Sequence, residues 1–177
     1  MEPFAILFMC AGFIGLYFLR FRVGFPSSYS LLPFQSGILY RRGIPVRVVS
    51  PGRHRVFLGR EKIVFLDTRP IEVKVESRAV GLVDGATAFY GFAASARVHD
   101  VQKAIHASGS YSELPAFVTL CVAREVLGRC NAEEVKLEQM RLNDEIRNRC
   151  SSRLAEAGFE LLSFGFTGVS VVSRTEM

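Results

Sequence analysis

Apolar residues follow three rhythms along this chain, and each predicts a different kind of structure. From Pro3 to Leu19 they run on without a charge. From Gln35 to Asp100 they come in short runs and alternations separated by turn residues, and from Asp100 to Gly158 they recur three and four apart. Alternation returns after Phe159. The pattern predicts an N-terminal membrane helix followed by an α+β domain, an antiparallel β-sheet packed with helices.

The leader contains Pro3, Phe4, Ile6, Leu7, Phe8, Phe13, Ile14, Leu16, Phe18 and Leu19, the residues expected to anchor it in lipid. About 17 to 25 apolar residues cross a bilayer as a helix. The run reaches that length comfortably if Arg20 and Arg22 snorkel to the headgroups and Phe21, Val23 and Phe25 are counted. A helix is the default because it satisfies its own backbone polar groups in lipid. A secretory signal is disfavoured, since Glu2 precedes the run and no small-residue cleavage site follows it. A buried core helix normally has a polar face, and this segment has none. A shallow hairpin within one leaflet is the open alternative, because Gly12, Gly15 and Pro26 permit a bend. The expected division is an anchor over 1–25, a linker or membrane-surface segment over 26–34, a domain over 35–173 and a tail over 174–177.

Turn chemistry places the elements of the domain. Pro26 to Ser30 has the composition of a linker. Leu31 to Phe34 is apolar, suited either to the bilayer surface or to packing under the domain. Strands are expected at Gly37–Arg41, Val46–Val49, His54–Leu58, Ile63–Leu66 and Ile71–Val75, with turns at Gly43-Ile44-Pro45, Ser50-Pro51-Gly52 and Gly59–Lys62. Asp84-Gly85 predicts a tight turn before a strand from Thr87 to Val98. Asp100 is suited to cap a helix over Val101–Ala107, and Pro115 to open one from about Glu113 to Leu127. Asn131 with Glu134 predicts a capping box for a third helix, whose apolar face holds Leu142, Ile146, Cys150 and Leu154. Gly158 is the expected left-handed stop. The last strand, Phe159–Val172, is expected to turn Leu162, Phe164 and Phe166 to one side.

Charge sharpens the membrane reading. Of 177 residues, 22 are basic and 17 acidic, for a net +5. From Arg20 to Lys62 nine basic residues face Glu61 alone, so this segment carries +8 and the remainder is acidic by three. Arg20, Arg22, Arg41 and Arg42 are the expected lipid-facing basic residues, each worth about 1 kcal/mol near anionic lipid. The flanking arginines place the domain on the cytoplasmic side. Nucleic acid is not an expected partner, because no nucleic-acid motif accompanies the arginines. The cysteines lack metal-ligand spacing, and Cys121, Cys130 and Cys150 are expected to be buried, reduced thiols.

No catalytic constellation emerges. The glycines lack phosphate-loop spacing, and neither a nucleophile elbow nor a paired-histidine zinc motif is present. His99 beside Asp100 is the one base-and-orienter candidate, outweighed by a surface histidine before a helix cap. Asp67 and Arg69 are expected to share a strand face. No catalytic residue, cofactor or metal is expected.

Taken together, these segments resemble the band 7 or SPFH domain of stomatins, prohibitins and flotillins. The resemblance runs through Gly37-Ile38-Leu39-Tyr40-Arg41 with Gly43, Pro51-Gly52 before His54, Asp67-Thr68-Arg69-Pro70 and Asp84-Gly85-Ala86-Thr87. It continues through Arg97-Val98-His99-Asp100, Arg124-Glu125-Val126-Leu127-Gly128, Asn143-Asp144-Glu145-Ile146 and Gly158-Phe159-Glu160. No one piece is specific; their order and spacing are. The resemblance implies a non-enzymatic membrane scaffold that forms a homo-oligomer and organises lipid, with an adaptor for a membrane protease or channel as the alternative. Two departures stand out. The coiled-coil extension usual in the family is absent after Val172, which fits a short member, a fragment, or assembly through the domain alone. Gly91 and its alanine-rich neighbours occupy a strand where larger residues are usual, which predicts close packing against a neighbour.

Overall fold

The computed structural model describes residues 25–107 and 110–172, together with Gly12 and Gly15 as isolated helical positions. The expected anchor over residues 3–19 therefore lies outside the described residues. Where one domain is expected, the chain divides into two compact units, 1–66 and 67–177. The change falls at Asp67–Pro70, where Pro70 has no N–H to continue a ladder. Asp67 accepts the Arg69 backbone N–H at 2.8 Å and its guanidinium at 2.5 Å. The pair thus closes a turn instead of sharing a strand face.

The first unit is built of strands. They are β1 (Phe25–Leu31), β2 (Gln35–Arg41), β3 (Ile44–Val49), β4 (Gly52–Leu58) and β5 (Glu61–Asp67). β1 pairs antiparallel with β4, and a second sheet runs in the order β3-β2-β5. The two share a small core of Leu31, Leu39, Val49 and Val56, with Ile63 against it.

β1 corrects the linker expected from Pro26 to Ser30. Its serines and proline look like a turn, but it is an edge strand, where a missing N–H need not break a ladder. Tyr29 packs on Phe65 with ring centroids 6.0 Å apart, Arg53 donates to the Ser28 hydroxyl, and Leu31 is buried in the core. Leu31 therefore packs under the domain, while Leu32 is exposed. The hairpin between β2 and β3 turns at Arg42–Gly43, earlier than expected. Pro45 is accommodated beside a bulge: Leu39 pairs with Arg47 and Tyr40 with Pro45, leaving Val46 without a partner.

The second unit contains the antiparallel sheet β6-β7-β8, formed by β6 (Ile71–Gly81), β7 (Thr87–Val98) and β8 (Phe159–Val172). Between β7 and β8 the chain forms α1 (Val101–Ala107), α2 (Leu114–Leu127), α3 (Ala132–Leu137) and α4 (Gln139–Glu156). Alternate residues of β7, among them Ala88, Tyr90, Phe92 and Ala94, meet Val122, Val126, Val135, Leu142 and Ile146 from the helices in one core. The expected caps form. Asp100 accepts the Gln102 and Lys103 N–H groups at 3.0 and 3.1 Å, and Asn131 and Glu134 make a reciprocal capping box. Leu142, Ile146, Cys150 and Leu154 are all buried on one face of α4. The third helix is interrupted at Glu138, where φ −109° and ψ 32° leave helical geometry, so α3 and α4 are separate.

Gly91 shows why the centre of β7 is small. On one side the register skips from Phe92–Val75 to Tyr90–Arg78, and on the other from Gly91–Gly168 to Phe92–Phe166. A Cβ at Gly91 would lie 2.7 Å from Thr167 Oγ1 and 3.1 Å from the Val75 carbonyl oxygen. A further skip, from Ala96–Leu161 to Ser95–Ser163, leaves Leu162 unpaired. Leu161 packs against the core in its place and Leu162 is exposed, which corrects the expected alignment of Leu162 with Phe164 and Phe166.

Candidate membrane-contact surface

The topology of the first unit brings three chain segments to one end. Phe25, where residues 1–24 join the strands, is paired with Leu58, and Pro26 with Phe57. β4 then turns through Gly59–Arg60 into β5. The other hairpin turn, Arg42–Gly43, lies beside it, because the Arg42 N–H donates to the Arg60 carbonyl at 2.8 Å. The start of β1 and both turns therefore meet. This end exposes apolar side chains: Ile44 is 68% exposed, Leu58 57% and Phe57 44%.

The same end is basic. Arg41 donates two N–H groups to Glu61 Oε1, at 2.9 and 2.7 Å, and the Phe57 N–H donates to Oε2 at 3.0 Å. The Glu61 side chain is only 5% exposed. The Phe57 N–H and then the Arg41 guanidinium hold its carboxyl below the usual glutamate range. The segment's lone acid is thus consumed by internal bonds. Arg42, Arg60 and Lys62 have no carboxylate partner among the described residues. Such a surface, apolar side chains interleaved with cations, suits the boundary between headgroups and acyl chains.

Residues 32–173 match the family model described as SPFH domain / Band 7 family. The chain belongs to the band 7, or SPFH-domain, family. Proteins of this family are in general membrane-associated scaffolds and regulators without enzymatic activity. No curated protein matches the chain.

Within this SPFH domain the structure places Arg41 and Arg42 together at the basic end, Arg41 on Glu61 and Arg42 at the apex of its turn. Arg20, Arg22 and the ten apolar anchor residues lie outside the described residues. Among the described residues no helix is long and apolar enough to cross a membrane. Sequence reasoning missed Arg60, Lys62, Ile44, Phe57 and Leu58 as members of the same surface. The available signal was the repetition of a glycine–arginine turn, Arg42-Gly43 and Gly59-Arg60, within one basic segment.

The second unit of the SPFH domain accounts for the remaining candidates. Asp100 spends its carboxylate capping α1, so it is not an orienter for His99. Among the described residues no group of three or more His, Cys, Asp or Glu side chains is placed to hold a metal ion. Cys121 is exposed, which corrects its expected burial; it falls on the outer face of α2. Cys130 and Cys150 are buried and free. Burial pushes the Cys150 thiol up to about 11, which keeps it protonated and unreactive at neutral pH.

Proposed function

We propose that this chain is a membrane-anchored SPFH scaffold that assembles with copies of itself and organises membrane lipids and proteins, with no chemistry of its own. One observation carries the reading: β1, which continues the chain from the apolar leader, begins opposite Leu58, at the end where Ile44, Phe57 and Leu58 are exposed and where Arg42 and Arg60 have no carboxylate partner among the described residues. The leader acts as a single-pass anchor, and Arg20 and Arg22 keep the domain on the cytoplasmic side. Once copies share a membrane, weak contacts between domains suffice for assembly, because tethering raises their effective concentration. The partners are anionic lipid and further copies of the chain.

The test is alkaline carbonate extraction of membranes carrying the full chain, followed by sizing in mild detergent. A carbonate-resistant homo-oligomer is expected. Recovery of the intact chain in the soluble fraction would sink the proposal.

A second reading, an adaptor for a membrane protease or channel, is favoured by the helices of the second unit. Phe117, Leu137 and Met140 are 67%, 76% and 84% exposed there, as a protein-docking surface requires. It predicts a foreign membrane protein in stoichiometric amount in the same extract.

A further inference from the structure

The geometry points to a binding site for the phosphate of an anionic lipid headgroup, formed by the paired turns Arg42–Gly43 and Gly59–Arg60. The inference rests on the membrane-scaffold reading and gives it a ligand.

Arg42 is the sole non-glycine with positive φ among the described residues, at 53°, followed by Gly43 at 82°. A two-residue turn of this kind favours asparagine or glycine in its first position, because an L side chain there crowds its own backbone. Arginine nevertheless occupies it and carries its guanidinium to the tip of the hairpin. The Arg42 N–H bond to the Arg60 carbonyl fixes the second turn alongside. Depressions of about 510 and 410 Å³ flank the pair, and Arg42 and Arg60 line both. Lys62 and Tyr40 add to the first, and Ile44 and Phe57 to the second. Glu61 borders each depression, yet its two oxygens are taken by Arg41 and the Phe57 N–H, so it does not neutralise the other cations.

Guanidinium groups match phosphate oxygens by paired N–H donors, which makes two convergent arginines a phosphate site. The apolar rim selects the source. A dissolved anion gains nothing from exposed Ile44, Phe57 and Leu58, whereas a lipid brings acyl chains to cover them. The leader joins at Phe25, opposite Leu58, and holds this end at the bilayer.

The full chain, reconstituted in nanodiscs of phosphatidylcholine with increasing phosphatidic acid, tests the site by hydrogen exchange at residues 40–43 and 57–62. Phosphatidic acid should slow exchange there and leave α4 unchanged. One basic residue contributes about fivefold at an anionic surface, so Arg42→Gln with Arg60→Gln should raise the phosphatidic acid needed by roughly thirtyfold. Arg53→Gln with Arg55→Gln, an equal loss of charge on β4 opposite Ser30 and Ser28, should change it little. Protection of α4 in each variant reports that the second unit is folded, and single substitution of Arg60 leaves the strained Arg42 turn intact. Equal weakening by both double variants would mean diffuse attraction and overturn the site. Equal slowing by inorganic phosphate in phosphatidylcholine discs would overturn the lipid as its source. Failure of the chain to enter phosphatidylcholine discs at all would instead sink the membrane reading beneath it.

Discussion

The two units spend their apolar residues differently. In the second, alternate residues of β7 and one face of the helices turn inward, so that Phe92, Ile146, Val122 and Ala88 are fully buried in one continuous core, while Phe117, Leu137 and Met140 stay exposed on the helices. In the first, Leu31, Leu39, Val49 and Val56 form a small core while Ile44, Val46, Val48, Phe57 and Leu58 stay exposed. Among the described residues no helix is shown covering the five strands of the first unit, and they do not bury both faces of every strand. An apolar surface left open next to cations, at the end where β1 begins, is suited to lipid, and the deep core is suited to carrying the fold. The deep core and the surface proposed for lipid thus fall in different units of the chain.

The largest effect should come from opening the deeper core. Phe92→Ala removes a fully buried ring that packs on Phe164 at 5.8 Å and stacks near Tyr90 at 6.4 Å. It should destabilise the second unit by about 3–5 kcal/mol. Leu31→Ala, in the shallow core of the first unit where neighbours can close in, should cost nearer about 2 kcal/mol. Denaturant unfolding of the detergent-solubilised chain measures both, with hydrogen exchange assigning the loss to a unit. Equal costs, or a larger one for Leu31, would break the distinction between the cores.

Next comes Gly91→Ala. Its new methyl would stand 2.7 Å from Thr167 Oγ1 and 3.1 Å from the Val75 carbonyl, so about 1–3 kcal/mol of overpacking is expected. Adding Thr167→Ala removes the nearer obstacle and should recover part of the loss. A double variant no more stable than Gly91→Ala would show that the bulged Thr167 is not what keeps this strand small.

How much of this was legible without coordinates follows the same division. In the second unit, local chemistry decided the elements: Asp100, Asn131 with Glu134, Pro115 and Gly158 punctuate helices by bonds to residues nearby in the chain, and β7 and α1 fall where their alternation and capping place them. The first unit depends on distant pairings. Pro26-Ser27-Ser28 carries no strand signal of its own and becomes β1 only against residues 52–58. The bulges that free Leu162 and Val46 likewise arise from matching two strands, and neither strand shows them alone. Arg41 and Arg42 were visible through charge. Arg60 and Lys62 joined them only because one backbone bond clasps two turns together.

Acid should loosen the first unit through Glu61. Its carboxyl is held below the ordinary value, about 4.3, by the Phe57 N–H and by Arg41. A depressed pKa contributes stability that is fully present above the ordinary value and is lost as pH falls through the lower, folded value. Exchange protection of residues 57–61, corrected for intrinsic rates, should therefore decline below about pH 4.3. Glu61→Gln should lower the protection at neutral pH and flatten that decline. An unchanged pH profile in the variant would locate the acid sensitivity elsewhere.

The smallest effect is expected from the most conspicuous charges. Glu125 on α2 meets Arg153 at 2.7 Å, Arg129 at 3.0 Å and Arg149 at 3.4 Å, and Arg149 also holds Glu145 at 2.6 Å. The cluster joins α2 to α4 across the outside of the deeper core, and the nearby arginines, Arg153 first, hold the Glu125 carboxyl below its usual range. Yet these side chains are a third to two-thirds exposed, so that solvent screens their attraction and the ordering of long side chains opposes it. Glu125→Gln should lower Tm slightly at low salt, and the difference should vanish in concentrated salt. A large, salt-insensitive drop would mean that the two helices are held from outside as much as by Leu142, Ile146 and Val122 beneath them, and the second unit would no longer be the one that rests on burial alone.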